Sequence, residues 1–103
     1  MNRHELPERL RGMWIRLERD YRAARAQLES AATYSDATHN AFTDAIDAIL
    51  LAPAETAADI RLKIEVIRDH DIFDEWWCAK EAASMLAIDA SRILPSRQIG
   101  GAA

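Results

Sequence analysis

The apolar positions of the first thirty residues follow the spacing of an amphipathic helix. They alternate four and three residues apart, which gives the narrow apolar stripe found in coiled coils. Pro7 suits the first turn, where a helix leaves the backbone N–H unpaired in any case. The stripe comprises Leu10, Trp14, Leu17, Tyr21, Ala24, Leu28 and Ala31.

Residues 33–40 are open to two interpretations. They are poor helix formers, and Ser35 or Asp36 could cap a new helix. The segment nevertheless contains no Gly or Pro, and counting by sevens from Trp14 reaches Phe42 and Ile49 in phase. We therefore favour one long, bent helix over residues 7–51, and the alternative is a hairpin that breaks near Ser35.

Pro53 marks the strongest helix break in the chain. Proline has no backbone N–H, and it disfavours helical angles at the preceding residue, Ala52. Thr56 is placed to cap the next helix, and Asp59 occupies the position that completes a capping box. The sequence therefore predicts a corner between two helices over residues 50–59.

Two shorter helices are predicted after this corner. In the first, Ala57, Ile60, Ile64 and Ile67 form the inner face, and residues 68–71 end it. The second is predicted over residues 72–94, with Asp71 as its cap and Asp74 in the capping-box position. Its apolar row is Ile72, Trp76, Ala79, Ala83, Leu86, Ala90 and Ile93.

No stretch alternates with the period of two that is typical of strands, so the predicted fold class is all-α. We expect a helical bundle of one long or kinked N-terminal helix (or hairpin) and two shorter helices, completed by oligomerisation. A single helical domain is predicted over residues 1–95, followed by a flexible tail over residues 96–103.

The composition indicates the cellular compartment that we expect and the chemistry that the chain can support. Of 103 residues, 50% are apolar and only three are Gly and three Pro, which favours an ordered helical chain. Cys78 is the only cysteine, so neither an internal disulfide nor a thiolate cluster can form within the chain. The polar N-terminus lacks the pattern of a signal peptide and no apolar run reaches membrane length, so we expect a cytoplasmic protein.

The net charge of −4 conceals an uneven distribution. Residues 1–30 contain seven Arg against five acids (+2), and residues 31–103 contain six basic residues against twelve acids (−6). We expect the basic first helix to lie beside acidic helices, within one chain or across a dimer. An acidic chain is poorly suited to wrapping nucleic acid, so binding of nucleic acid by the Arg-rich first helix is only a second alternative.

The corner sequence Ala52-Pro53-Ala54-Glu55-Thr56, followed by Ile60 and Lys63, resembles a Pro-Ala-x-Thr signature of small all-helical phage and prophage proteins. The resemblance is confined to these residues. The Gly that usually follows the Thr is absent, since Ala58 and Asp59 stand in that region. The resemblance implies a small accessory protein of a mobile element, and it implies no activity.

Carboxylates supply the one enzymatic alternative. All-α nucleotide pyrophosphohydrolases hold Mg²⁺ on carboxylates from paired helices, and this chain has Asp44-x-x-Asp47 and Asp71-x-x-Asp74. The densest polar cluster is Glu65, Asp69, His70, Asp71, Asp74 and Glu75. We favour helix capping and a solvated turn for these side chains, and we predict no metal, cofactor or catalytic residue. His4 and His39 are expected at the surface, and Cys78 has no neighbouring base to activate its thiol.

The aromatic segment 72–77 points to binding. If Ile72 and Trp76 face the core, Phe73 and Trp77 point about 100° away and form a second apolar face. Tryptophan is a preferred anchor at protein interfaces. We predict a small non-catalytic interaction or assembly protein, a homodimer before any other complex. The residues expected to bind the partner are Trp14, Tyr21, Phe73, Trp76 and Trp77.

Overall fold

The fold was analysed in a computed structural model, which describes residues 5–30 and 35–95 and the side chains of residues 12–30 and 35–95. Over those residues the chain forms five helices and no strand, which confirms the all-α class. The predicted tail and the predicted surface position of His4 lie outside the described residues. The helices are α1 (Glu5–Ser30), α2 (Asp36–Leu51), α3 (Ala57–Asp69), α4 (Ile72–Glu75) and α5 (Ala79–Ile93).

The first two helices form a hairpin, so the favoured prediction of one continuous helix is wrong and the alternative near Ser35 is right. Ser35 is extended (φ −139°), and its side chain accepts the backbone N–H of Thr38 at 3.1 Å. The helices run antiparallel: Gln27 lies in the same groove as Ala37, and Leu17 in the same groove as Ala48. A hairpin preserves the apolar phase because each helix turns its own stripe towards the same core.

The predicted corner at Pro53 is confirmed. Helix α2 ends at Leu51, and Ala52 leaves helical angles with ψ 142°. Thr56 Oγ1 accepts the N–H of Asp59 at 3.2 Å, and Asp59 Oδ2 accepts the N–H of Thr56 at 3.0 Å, which completes the capping box.

The predicted helix over residues 72–94 is wrong, because the chain breaks after Glu75. Trp76 is extended (ψ 140°), and α5 begins only at Ala79. The predicted side-chain cap by Asp71 is also wrong, since this residue has left-handed angles (φ 50°, ψ 46°) and its carboxylate makes no capping hydrogen bond. The break lets Ile72 and Cys78 both reach the core.

All five helices and the Pro53 corner contribute to one core. On α3 the buried face is Ile60, Leu62, Lys63 and Val66, whereas Ile64, predicted on the inner face, is 48% exposed. The buried face of α3 therefore includes Lys63 and leaves Ile64 outside. The buried apolar residues are Trp14, Tyr21, Phe42, Ile46, Ile49, Leu50, Ala54, Ile60, Leu62, Val66, Ile72, Cys78 and Ala82.

Candidate functional site

A buried ion pair joins α3 to α5 beside the Pro53 corner. Lys63 Nζ lies 2.6 Å from Asp89 Oδ2, and both side chains are almost completely buried. The other oxygen of Asp89 accepts the N–H of Ala54 at 3.2 Å and a guanidinium N–H of Arg92 at 3.1 Å. A charge this deep is tolerated only when its partner and its hydrogen bonds are in place.

Side chains donate three further hydrogen bonds to backbone carbonyls of the same corner. Trp14 Nε1 donates to the carbonyl of Pro53 at 2.8 Å, Lys63 Nζ to that of Leu50 at 3.4 Å, and Arg92 to that of Ala54 at 2.7 Å. A helix end leaves backbone groups unpaired, and here α1, α3 and α5 supply the missing partners. Lys63 and Asp89 are thus part of the packing of the corner, where a substrate has no access.

Sequence reasoning missed this pair, although a signal was present. Asp89 follows Ala82 and Leu86 and precedes Ile93 at helical spacing, so an acid interrupts an apolar row. A lone charge in such a row indicates a buried partner, but nothing local to α5 identifies Lys63.

The acidic cluster on α3 pairs with arginines of α1. Both terminal guanidinium nitrogens of Arg22 donate to the carboxylate of Glu65, and Arg25 Nη1 donates to Asp69 Oδ2 at 3.0 Å. These hydrogen bonds hold the pKa of Glu65 and of Asp69 below the usual value for a carboxyl group. The basic helix therefore lies beside an acidic one within the chain, and two of its arginines are already engaged.

Tyr21 and His70 extend this contact into the core. Tyr21 Oη lies 2.8 Å from His70 Nε2, and Arg25 Nη1 donates to the same hydroxyl at 2.9 Å. The Phe42 ring packs edge-on against His70 with centroids 5.0 Å apart. Burial lowers the pKa of His70 and raises that of Tyr21, so both groups are neutral at pH 7. This arrangement connects α1, α2 and α3, and Tyr21 is completely buried in it.

A single carboxylate of α2 binds two indoles. Asp47 Oδ1 accepts the N–H of Trp76 at 2.7 Å, and both of its oxygens lie 3.1 Å from Trp77 Nε1. The sulfur of Cys78 lies 4.0 Å from the same carboxylate. Burial and the Asp47 charge raise the pKa of the Cys78 thiol, so it stays protonated and is a poor nucleophile.

The structure separates the five residues that were predicted to bind a partner. Trp14 and Tyr21 are buried in the chain's own core, at 4% and 0% exposure, and Trp76 is half-buried against it. Phe73 and Trp77 lie at the surface with 51% and 71% of their areas exposed. Of the five predicted residues, Phe73 and Trp77 are therefore the two whose side chains the described part of the chain leaves largely exposed.

Among the described side chains, no group of three or more His, Cys, Asp and Glu residues is placed to hold a metal ion. Of the predicted carboxylate pairs, Asp47 is bonded to the indoles, and Asp44 lies at the edge of an open groove between α1 and α2. That groove is lined largely by alanines, among them Ala24, Ala41 and Ala45.

Comparison with known proteins identifies no relative: no family model, no curated protein and no solved structure matches the chain. None of the described helices is long and apolar enough to cross a membrane.

Proposed function

We propose that the protein is a small non-catalytic helical interaction protein, an accessory factor of phage type, that associates through Phe73 and Trp77. The observation that carries this proposal is the state of Trp77. Its ring is 71% exposed, yet its indole N–H is bonded to both oxygens of Asp47. An exposed aromatic ring that is already oriented loses little conformational freedom when a partner covers it.

The two exposed rings are large enough to anchor a complex. An aromatic side chain buries roughly 150–250 Å² when fully enclosed. At about 25 cal/mol per Å², covering the exposed part of Phe73 would contribute roughly 2–3 kcal/mol and that of Trp77 roughly 3–4 kcal/mol. Contributions of this size are typical of the few residues that dominate a protein interface.

A second copy of the chain is the partner we propose first. Homo-oligomers with two-fold symmetry are the commonest assemblies of soluble proteins, and small helical domains often enlarge their core in this way. The proposed state is a cytoplasmic homodimer with Phe73 and Trp77 in its interface.

The test is the solution mass of Trp77→Asp, measured by light scattering across a tenfold dilution. We expect the wild-type chain to be dimeric and Trp77→Asp to be monomeric, with helical content unchanged because the ring contributes little to the core. The matched control is Leu94→Asp, which places the same charge on a 39% exposed leucine at the far end of α5. A monomeric wild type, or a Trp77→Asp variant that still dimerises, would contradict the proposal.

A further inference from the structure

The geometry points to the surface of the second copy that covers Phe73 and Trp77: the outer side of α1 and α3, which presents Ile15, Arg16, Arg61 and Ile64. This inference rests on the proposed function and adds the identity of the opposing residues. We call these four residues the basic surface. Phe73, Trp77, Asp74, Glu75 and Glu81 are the acidic surface.

The acidic surface combines apolar rings with unpaired negative charge. Asp74, Glu75 and Glu81 are all exposed, and none of them has an ion-pair partner among the described residues. Residues 71–81 contain four acids and one lysine, which gives this segment a net charge of −3. A partner that covers Phe73 and Trp77 therefore has to bring cations to the rim.

Among the described side chains, the arginines that form no ion pair lie on α1 and α3. Arg19, Arg22, Arg25, Arg68 and Arg92 each pair with an acid of the same chain. Arg16 and Arg61 are exposed and have no such partner among the described side chains. They are therefore the described arginines that are free to pair with another molecule.

Each free arginine lies beside an exposed isoleucine. Ile15 precedes Arg16 on α1 and is 65% exposed, and Ile64 lies one turn after Arg61 on α3 and is 48% exposed. Helices α1 and α3 are neighbours, since Ile15 lines the same cleft as Ala58 and Arg22 bonds to Glu65. The basic surface thus combines apolar and charged side chains as the acidic one does, with the opposite charge, because Glu18 beside Ile15 is already paired with Arg22.

Reciprocal docking would pair the charges of both surfaces and cover the apolar side chains of both. In a two-fold dimer each protomer gives its basic surface to the partner's acidic surface, so every contact occurs twice. The isoleucines would cover the aromatic rings, and an arginine could also lie over the open face of Trp77 in a cation–π contact. A closed dimer of this kind leaves neither surface exposed.

The test is a charge exchange followed by light scattering. We expect Arg16→Glu/Arg61→Glu to weaken self-association at least tenfold, because two attractions become repulsions and each occurs twice. Glu75→Arg/Glu81→Arg should do the same. An equimolar mixture of the two variants should recover the dimer, since acid meets arginine again at both contacts. Far-UV circular dichroism of each variant checks that the helices are retained.

The outcomes separate this inference from the proposed function. A dimer that depends on Trp77 but is indifferent to the arginine reversal would overturn the inference, and it would leave self-association through the aromatic rings intact. Failure of the mixture to recover the dimer would overturn it as well. A mixture that forms long chains in place of dimers would contradict the closed two-fold arrangement.

Discussion

Trp14 and Trp77 both have their indole N–H hydrogen-bonded, yet only one of them is buried. Trp14 donates to the carbonyl of Pro53, and 4% of its surface is exposed. Trp77 donates to Asp47, and 71% of its surface is exposed. At the corner, hydrogen bonding and burial of the ring act together to stabilise the fold. After α4 the hydrogen bonds orient a ring that the chain itself does not cover, which is the arrangement expected of a binding residue.

The largest loss of stability is expected when a buried charge at the Pro53 corner is removed. Replacing Lys63 with methionine leaves Asp89 charged and buried with Arg92 as its remaining cation, so we expect the free energy of unfolding to fall by up to about 3–5 kcal/mol. Thermal and urea unfolding measure this loss directly. For a domain of this size, each kcal/mol lowers the melting temperature by roughly 4–8 °C.

The matched control for this variant removes the second charge as well. Lys63→Met/Asp89→Asn keeps an oxygen for the N–H of Ala54 and leaves no buried ion, so it should recover a substantial part of the stability. If the single variant is as stable as the wild type, the ion pair is not buried in solution as described.

A smaller change in stability is expected when Trp14 or Trp77 is replaced, and it should differ between the two. Trp14→Phe keeps an aromatic ring in the core but removes the donor to Pro53, so we expect a loss of about 1–2 kcal/mol and unchanged self-association. Trp77→Phe removes an exposed donor, so it should change the stability by less than about 0.5 kcal/mol and weaken self-association. Urea unfolding and light scattering on the same two samples compare them. The comparison fails if Trp77→Phe proves the more destabilising variant.

The parts of the fold that the sequence predicted correctly depend on neighbours along the chain. Predicting the corner required only Pro53, Thr56 and Asp59, because the capping interactions lie within a few residues of one another. The break after Glu75 was missed because the two tryptophans that follow it bond to Asp47, which is about thirty positions away on α2. Helical periodicity carries no information about such contacts, so residues 72–94 looked continuous.

The candidate site shows the same limit. Phe73 and Trp77 were singled out from the angle between successive residues on one helix, but the chain breaks after Glu75, so their exposure depends on that break and not on a shared helix. Trp14 and Tyr21 belong to the stripe that covers the chain's own core, and a stripe that covers a partner would have the same spacing. Only the tertiary packing distinguishes the two cases.

A modest change in stability is expected at the carboxylate that orients Trp77. Asp47→Ala removes the hydrogen bonds to Trp76 and Trp77 at a half-buried position, so unfolding should become easier by about 1 kcal/mol. Relaxation measurements on the indole Nε1–H of Trp77 should show a more mobile ring. Because the ring must then be ordered on binding, we expect self-association to weaken roughly three- to tenfold. Asp44→Ala, one turn earlier on α2 and without an indole partner, should change neither property. An Asp47→Ala variant in which Trp77 stays rigid and the dimer is as strong as before would show that the carboxylate does not position this ring.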